Sequence, residues 1–266
     1  MSQPKVEFRH VSKKFQTPGG PLEVIRDINL TVNPGEFVSL VGASGCGKTT
    51  LLRIMNGLSD ATSGSVEIDG RPSSEVKSKM AFVFQHDGLF PWRTVEQNVA
   101  FGPEIHRRPT AKTKAVVDAM LRMVGLANFA KSYPHQLSGG MRQRVNIARA
   151  LAFEPEILLM DEPFAALDAQ TRNIMQTELM GIWEKTKKTV MFITHQIDEA
   201  VFLSDRVIVL TARPGRIKED IRIDLPRPRH LKTKWSPEFV AYTDRIWSLI
   251  EEEVRYSMKL EAENGQ

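Results

Sequence analysis

Residues 42–50 read G-A-S-G-C-G-K-T-T, and the patterns on either side of them decide how the chain folds. The stretch satisfies G-x-x-x-x-G-K-[ST], with Gly42, Gly47, Lys48 and Thr49 in the fixed positions. Upstream, residues 36–41 (E-F-V-S-L-V) are a short apolar run after Pro34-Gly35, which predicts a buried strand. Downstream, residues 49–56 hold leucines and no breaker before Gly57, which predicts a helix. Strand, glycine loop and helix are the parts that a phosphate site needs. Glycines let backbone N–H groups turn inward around phosphate oxygens, and the new helix offers its positive end. Lys48 then reaches the β- and γ-phosphates of a nucleotide, the Thr49 hydroxyl ligates Mg²⁺, and Ala43, Ser44, Gly45, Cys46 and Thr50 complete the ATP-binding set. The alternative is a glycine turn that binds nothing.

With 266 residues, 41% of them hydrophobic, the chain can bury one large core, or one core and a subdomain. Lys and Arg number 36 against 32 Asp and Glu, too small an excess to argue for nucleic acid, and no basic stripe carries interleaved aromatics. Arg107-Arg108, Arg227 and Arg229 read as solvated surface. The lone cysteine, Cys46, excludes an intramolecular disulfide framework and fits a reducing compartment. Its place beside a helix N-terminus and Lys48 favours the thiolate, so it is expected to react readily unless it is shielded. The N-terminus has no apolar signal region, and no apolar run approaches the roughly 18 residues of a spanning helix. A membrane role is therefore expected to come through a partner.

Residues 5–11 and 22–32 alternate apolar and polar side chains around T-P-G-G-P, which predicts antiparallel strands. Further strands are predicted at 64–69, 79–84, 157–160, 189–194, 206–210 and 216–223, and helices at 94–101, 111–124, 140–153, 169–185 and 197–203. Helices alternating with apolar strands argue for an α/β P-loop NTPase core with a mainly parallel sheet. An antiparallel β subdomain and a helical subdomain at about 86–153 complete the expected architecture. The predicted boundaries are 1–225 for this domain and 226–266 for an extension. In that tail, Ser236-Pro237-Glu238 opens a helix with Phe239, Thr243, Ile246, Ile250 and Val254 on one face. Packing on its own domain and binding a partner are both open readings of that face.

Residues 157–163 read I-L-L-M-D-E-P, a buried strand ending in two carboxylates. Alternation along a strand makes Asp161 and Glu162 diverge, so Asp161 can hold the Mg²⁺ shell while Glu162 polarises the water that attacks a γ-phosphate. Residues 137–142 read L-S-G-G-M-R and open a helical pattern, so Ser138, Gly139 and Gly140 form a second anion site. Two phosphate sites in one chain invite a composite arrangement, in which each copy covers the other's γ-phosphate.

With L-S-G-G, the phosphate loop and D-E-P together, residues 5–225 resemble an ABC transporter ATP-binding subunit. The resemblance implies an ATPase using ATP and Mg²⁺. It also implies that Phe15 stacks on adenine with a bare ring in place of the usual tyrosine. Gln85 would sense Mg²⁺ and the γ-phosphate, His195 would contact the γ-phosphate, and Asp168 would lie at a dimer interface. Lys48, Gln85, Glu162 and His195 are the expected catalytic set, and Thr49, Gln85 and Asp161 the expected metal set. Met141 stands where glutamine is usual and Ala165 where serine is common; both keep the backbone chemistry.

The L-F-P-W-R-T-V-E-Q-N-V-A-F-G at 89–102, the A-R-P-G-R-I at 212–217 and the D-L-P-R-P-R at 224–229 are together similar to the nitrate/sulfonate/taurine importer branch. The implied partners are a second copy of the chain, two membrane permease subunits and, indirectly, a solute-binding protein, at the cytoplasmic face of the cell membrane. Leu89, Phe90 and Trp92 are costly to expose and suit a groove that receives a permease helix; the alternative is that they tuck into the core. A second class of function, a soluble switch on a non-transport machine, stays open at this point.

Overall fold

The computed structural model describes residues 3–76, 79–86, 88–107 and 109–264, with side chains described to 258. Arg108, expected at the surface, lies outside them. The chain divides into two compact units, 1–77 with 187–266, and 78–186.

In the first unit, β1 (Val6–Thr17) and β2 (Gly20–Val32) form a long hairpin running from Val6 opposite Val32 to Thr17 opposite Gly20. β4 (Ser63–Ile68) pairs antiparallel with the other edge of β1, and the short β5 (Arg71–Pro72) continues from β4. A second sheet of this unit centres on β3 (Phe37–Gly42), whose residues 37–41 are all buried. β3 lies parallel to both β8 (Thr189–Ile193) and β9 (Arg206–Leu210), with Leu40 opposite Ile193 on one side and Ile208 on the other. β10 (Ile217–Arg222) runs antiparallel on the outer edge of β9. A strand buried on both faces needs apolar side chains in succession, and each one removed from water contributes roughly 1.5–3 kcal/mol. α1 (Lys48–Met55) follows β3, and α6 (Ile197–Leu203) follows β8.

The tail folds back on this unit. α7 (Pro237–Asn264) packs against α6 and β9 and buries Phe239 and Ile246, two of the residues on its predicted apolar face. Trp247 on another face is 61% exposed. The reading of Arg227 and Arg229 as solvated surface is corrected. Arg229 is buried, and its guanidinium donates to the carbonyls of Val201, Phe202 and Ser204 at 2.8–3.0 Å and to those of Ile223 and Leu225. It meets the carbonyls that the end of α6 leaves without helical partners. Arg227 donates to the Leu203 carbonyl and to Asp205 at 2.8 Å.

The second unit pairs β6 (Met80–Val83) parallel to β7 (Ile157–Asp161), with Val83 opposite Met160. Its helices are α2 (Val95–Ile105), α3 (Thr110–Met123), α4 (Gly139–Ala152) and α5 (Ala169–Thr186). α2 starts at a capping box: Thr94 Oγ1 accepts the Gln97 N–H while Gln97 Oε1 accepts the Thr94 N–H. Helices α2 and α4 approach closely at Gly102, where a Cβ would stand 3.0 Å from Phe153.

Candidate functional site

The phosphate loop lies in the first unit, between β3 and α1. Gly42, Gly45 and Gly47 have φ of 154°, 74° and 101°, a region that glycine enters without a Cβ penalty. A Cβ on Gly47 would stand 2.8 Å from Ile25, so the loop is pressed onto β2 as well as turned. Lys48 is buried to 8% exposure, and its ammonium donates to the Gly42 and Ala43 carbonyls at 2.8 and 3.0 Å. That places its charge at the loop, beneath the backbone groups that a phosphate would meet.

Cys46 sits in the loop, but its side chain is fully buried, with Sγ 3.7 Å from Lys48 Nζ. The expectation of a readily reactive thiol is corrected to its shielded alternative. Packing overrides the electrostatic argument here, because a thiolate that no reagent reaches is inert.

Elsewhere in this unit, Phe15 is 41% exposed on β1, with Lys13 Nζ 4.9 Å from its ring centroid. His195 is exposed just past β8. The turn carrying it is held by buried Thr194, which donates to Glu199 at 2.7 Å and accepts the Gln196 N–H at 2.9 Å. His195 borders an open cavity of about 460 Å³ shared with Phe239, Thr243 and Trp247 of α7.

The second unit carries the carboxylates. Asp161 ends β7 and is 6% exposed. Glu162 lies beyond the strand with φ 47°, so its divergence from Asp161 comes from a left-handed residue and not from strand alternation. Gln85, past the end of β6, donates its amide N–H to Glu162 Oε2 at 3.1 Å. The strand end that delivers Gln85 is fixed by side chains that sequence reasoning passed over. Gln143 and Asn146 of α4, both buried, donate to the Phe84 carbonyl at 3.2 and 3.1 Å. Two polar side chains in an otherwise apolar helical stripe were the only signal for this role.

Ser138 caps α4, its hydroxyl oxygen accepting the Met141 N–H at 3.3 Å, and it is exposed together with Gly139. Met141 therefore takes part through its backbone, whatever its side chain. Gly140 approaches the following loop: a Cβ there would meet Leu167 at 3.4 Å. Asp168 immediately precedes α5 and accepts the Gln170 and Thr171 N–H groups at 3.1 and 3.0 Å. The Thr171 N–H, then its hydroxyl, hold the Asp168 carboxyl below the ordinary carboxylate range.

Leu89, Phe90 and Trp92 divide. Leu89 is buried, and Phe90 is half-buried with its ring 4.6 Å from that of Phe101, so the tucked-in alternative holds for these two. Trp92 is 72% exposed. Asn98, fully buried on α2, shapes this loop: it accepts the Phe90 N–H and donates to the carbonyls of Phe90, Arg93 and Thr94 at 3.0–3.2 Å.

A loop of turned glycines between a buried parallel strand and a helix, with a lysine folded into it, defines a P-loop nucleotide-binding protein of the α/β class. Residues 25–165 match the ABC transporter family, more than half of the chain, and the chain belongs to that family as an ATP-binding subunit. It is an ATPase. An ABC transporter ATP-binding protein of Methanocaldococcus jannaschii is 52% identical over 96% of this chain and 94% of its own length. The nitrate import ATP-binding protein NrtD of Synechocystis sp. is 44% identical over 92% of this chain and 94% of its own. Among solved structures, a dimeric post-hydrolysis state of an ATP-binding cassette bound to ADP and Pi superimposes with a TM-score of 0.76 at 33% identity. It covers 83% of this chain and all of the other. No helix among the described residues is long and apolar enough to cross a membrane.

Proposed function

We propose that this ATPase energises an importer of a small solute of the nitrate kind, as two copies beneath two permease subunits at the cytoplasmic face of the cell membrane. The observation that carries the reading is the 44% identity to a nitrate import ATP-binding protein along nearly the full length of both chains. On this reading residues 1–225 are the ATPase domain, with 86–153 its helical subdomain and 226–266 an extension. Two copies close on ATP, a reading supported by the related cassette, which is dimeric in its post-hydrolysis state, and a solute-binding protein acts one step removed, by loading the permease. No observation favours a non-transport switch, and that alternative is set aside.

The roles follow from the chemistry of each group. Backbone N–H groups of residues 42–50 and the Lys48 ammonium bind the phosphates, and Phe15 offers its exposed ring to the adenine. Glu162 takes the proton of the attacking water, held in place by the Gln85 amide. His195 orients the γ-phosphate. Ser138, Gly139 and Gly140 of the second copy meet that phosphate from the other side, with Asp168 at the interface. The Thr49 hydroxyl, Gln85 carbonyl and Asp161 carboxylate are hard oxygen donors of the type Mg²⁺ accepts, so these residues fit the ion. When bound it neutralises phosphate charge.

Proteoliposomes holding the chain with two permease subunits and a binding protein of the nitrate importer kind should accumulate nitrate only when ATP is supplied on the side the chain faces. An ATPase rate that neither nitrate, sulfonates nor taurine stimulates in that system would remove the importer reading.

A further inference from the structure

The turn between β9 and β10 makes contacts on the phosphate loop that the nucleotide reading does not use. Gly215 lies so close to the loop that a Cβ would stand 2.0 Å from the Cys46 carbonyl oxygen. From the same turn Arg213 donates its Nε–H to the Gly45 carbonyl at 3.3 Å. The turn is held from several sides. Gly215 donates its N–H to the Val24 carbonyl at 2.9 Å, and its own carbonyl accepts the Arg26 N–H at 3.0 Å. Thr211 Oγ1 donates to the Pro214 carbonyl and accepts the Arg216 N–H, both at 3.0 Å. The last tie comes from the C-terminal helix: Glu253 of α7 accepts the Ala212 N–H at 2.8 Å and pairs with Lys218 of β10 at 2.8 Å.

We propose that residues 211–216 form a strap that positions the phosphate loop, with Arg213 as its positioning residue and Glu253 as the anchor through which α7 acts on nucleotide binding. Two successive peptide units of the loop, 45–46 and 46–47, have their carbonyls facing this turn. A carbonyl that swung toward a bound phosphate would repel it, so keeping both on the strap preserves the loop's anion-accepting form. The Glu253 carboxylate is 14% exposed, which shelters its bond to Ala212 from competing water. The part concerning nucleotide rests on the reading that ATP binds residues 42–50.

Cys46 is the chain's single cysteine and is fully buried, so any maleimide label reports an opening of the loop. Arg213→Ala and Glu253→Ala should each raise the labelling rate of the nucleotide-free chain roughly fivefold, the factor expected for one hydrogen bond lost. Each should raise the KM for ATP several-fold while kcat at saturating ATP falls less than twofold. Arg213→Lys, which keeps one donor, should restore part of both effects. The exposed position of Arg213 predicts an unchanged Tm for its variants. Labelling rates within twofold of wild type in both Arg213→Ala and Glu253→Ala would overturn the strap. So would faster labelling accompanied by a Tm lowered several degrees in both, since general loosening then explains it. Lys48→Ala separates the two readings. Undiminished ATP affinity in that variant removes the nucleotide assignment, while the labelling arm still decides the strap.

Discussion

Glu162 leaves β7 in a left-handed conformation, φ 47°, which costs a residue with a Cβ roughly 1–3 kcal/mol. Strain of this kind persists where neighbours fix the backbone, and here buried Asp161 precedes Glu162 and buried Pro163 and Phe164 follow it. The carboxylate is also engaged from outside, by the Gln85 amide. Glu162→Gln keeps the size and backbone preference of the side chain and removes only its basicity. Turnover should fall by on the order of a hundred- to ten-thousand-fold, with ATP affinity retained. Single-turnover hydrolysis read beside a nucleotide-binding titration checks this, and turnover at the wild-type rate would place the base elsewhere. At the same scale, the turned glycine loop and the carboxylates at the end of β7 were legible in the sequence, because closely spaced glycines mark a turn and an apolar run ending in acids marks a strand end. Arg229 was not. Its partners are carbonyls of residues 201–204 and 223–225, and a carbonyl leaves no mark on the sequence.

At the scale of elements, the loop at 88–93 and helix α2 are joined by one side chain. Asn98 satisfies four backbone groups of that loop and its helix start while fully buried. Asn98→Ala removes the side-chain partner of the Phe90 N–H and the Arg93 carbonyl, while the Thr94 and Phe90 carbonyls keep the Asn98 and Arg93 backbone N–H groups, and should lower stability by about 2 kcal/mol. Trp92→Ala, at a side chain 72% exposed, should change stability by less than about 0.5 kcal/mol. Solute uptake should nevertheless drop in the Trp92 variant, because an exposed indole beside a rigid loop suits a partner's groove. Denaturant unfolding of both variants, with uptake measured for Trp92→Ala, tests the pair; normal uptake would move the docking surface away from this residue. Most strands and helices were visible from periodicity, with most ends close to expectation, although β1 runs to Thr17 and α2 to Ile105, six and four residues past the expected ends. The fate of Leu89 and Phe90 was not, because an apolar side chain in a loop reads alike whether it faces a partner or packs on Phe101. Tertiary contacts also decided Cys46, whose sequence neighbours argue for reactivity and whose packing removes it.

For the whole molecule, the proposed catalytic arrangement depends on a second copy. Within one chain Ser138 caps α4 and Gly140 lies against Leu167, yet Ser138 and Gly139 stay exposed at the start of the helix. A γ-phosphate brought by another copy gives them a use. The hydroxyl and the first N–H groups of a helix are an anion site waiting for charge from outside. On the proposed reading, ATP holds two chains together and hydrolysis removes the charge that bridges them. Glu162→Gln cannot remove it, so this variant with MgATP should accumulate a dimer measurable by light scattering after size exclusion. ADP should leave it monomeric. Adding Ser138→Arg places a long cation where the second copy would approach, which should abolish the dimer. ATP binding by the phosphate loop of each single chain should survive, because that loop lies in the first unit and Ser138 in the second. If the double variant dimerises as fully as Glu162→Gln alone, the residues at 138–140 do not meet the partner's nucleotide, and the exposed start of α4 serves something other than a shared ATP.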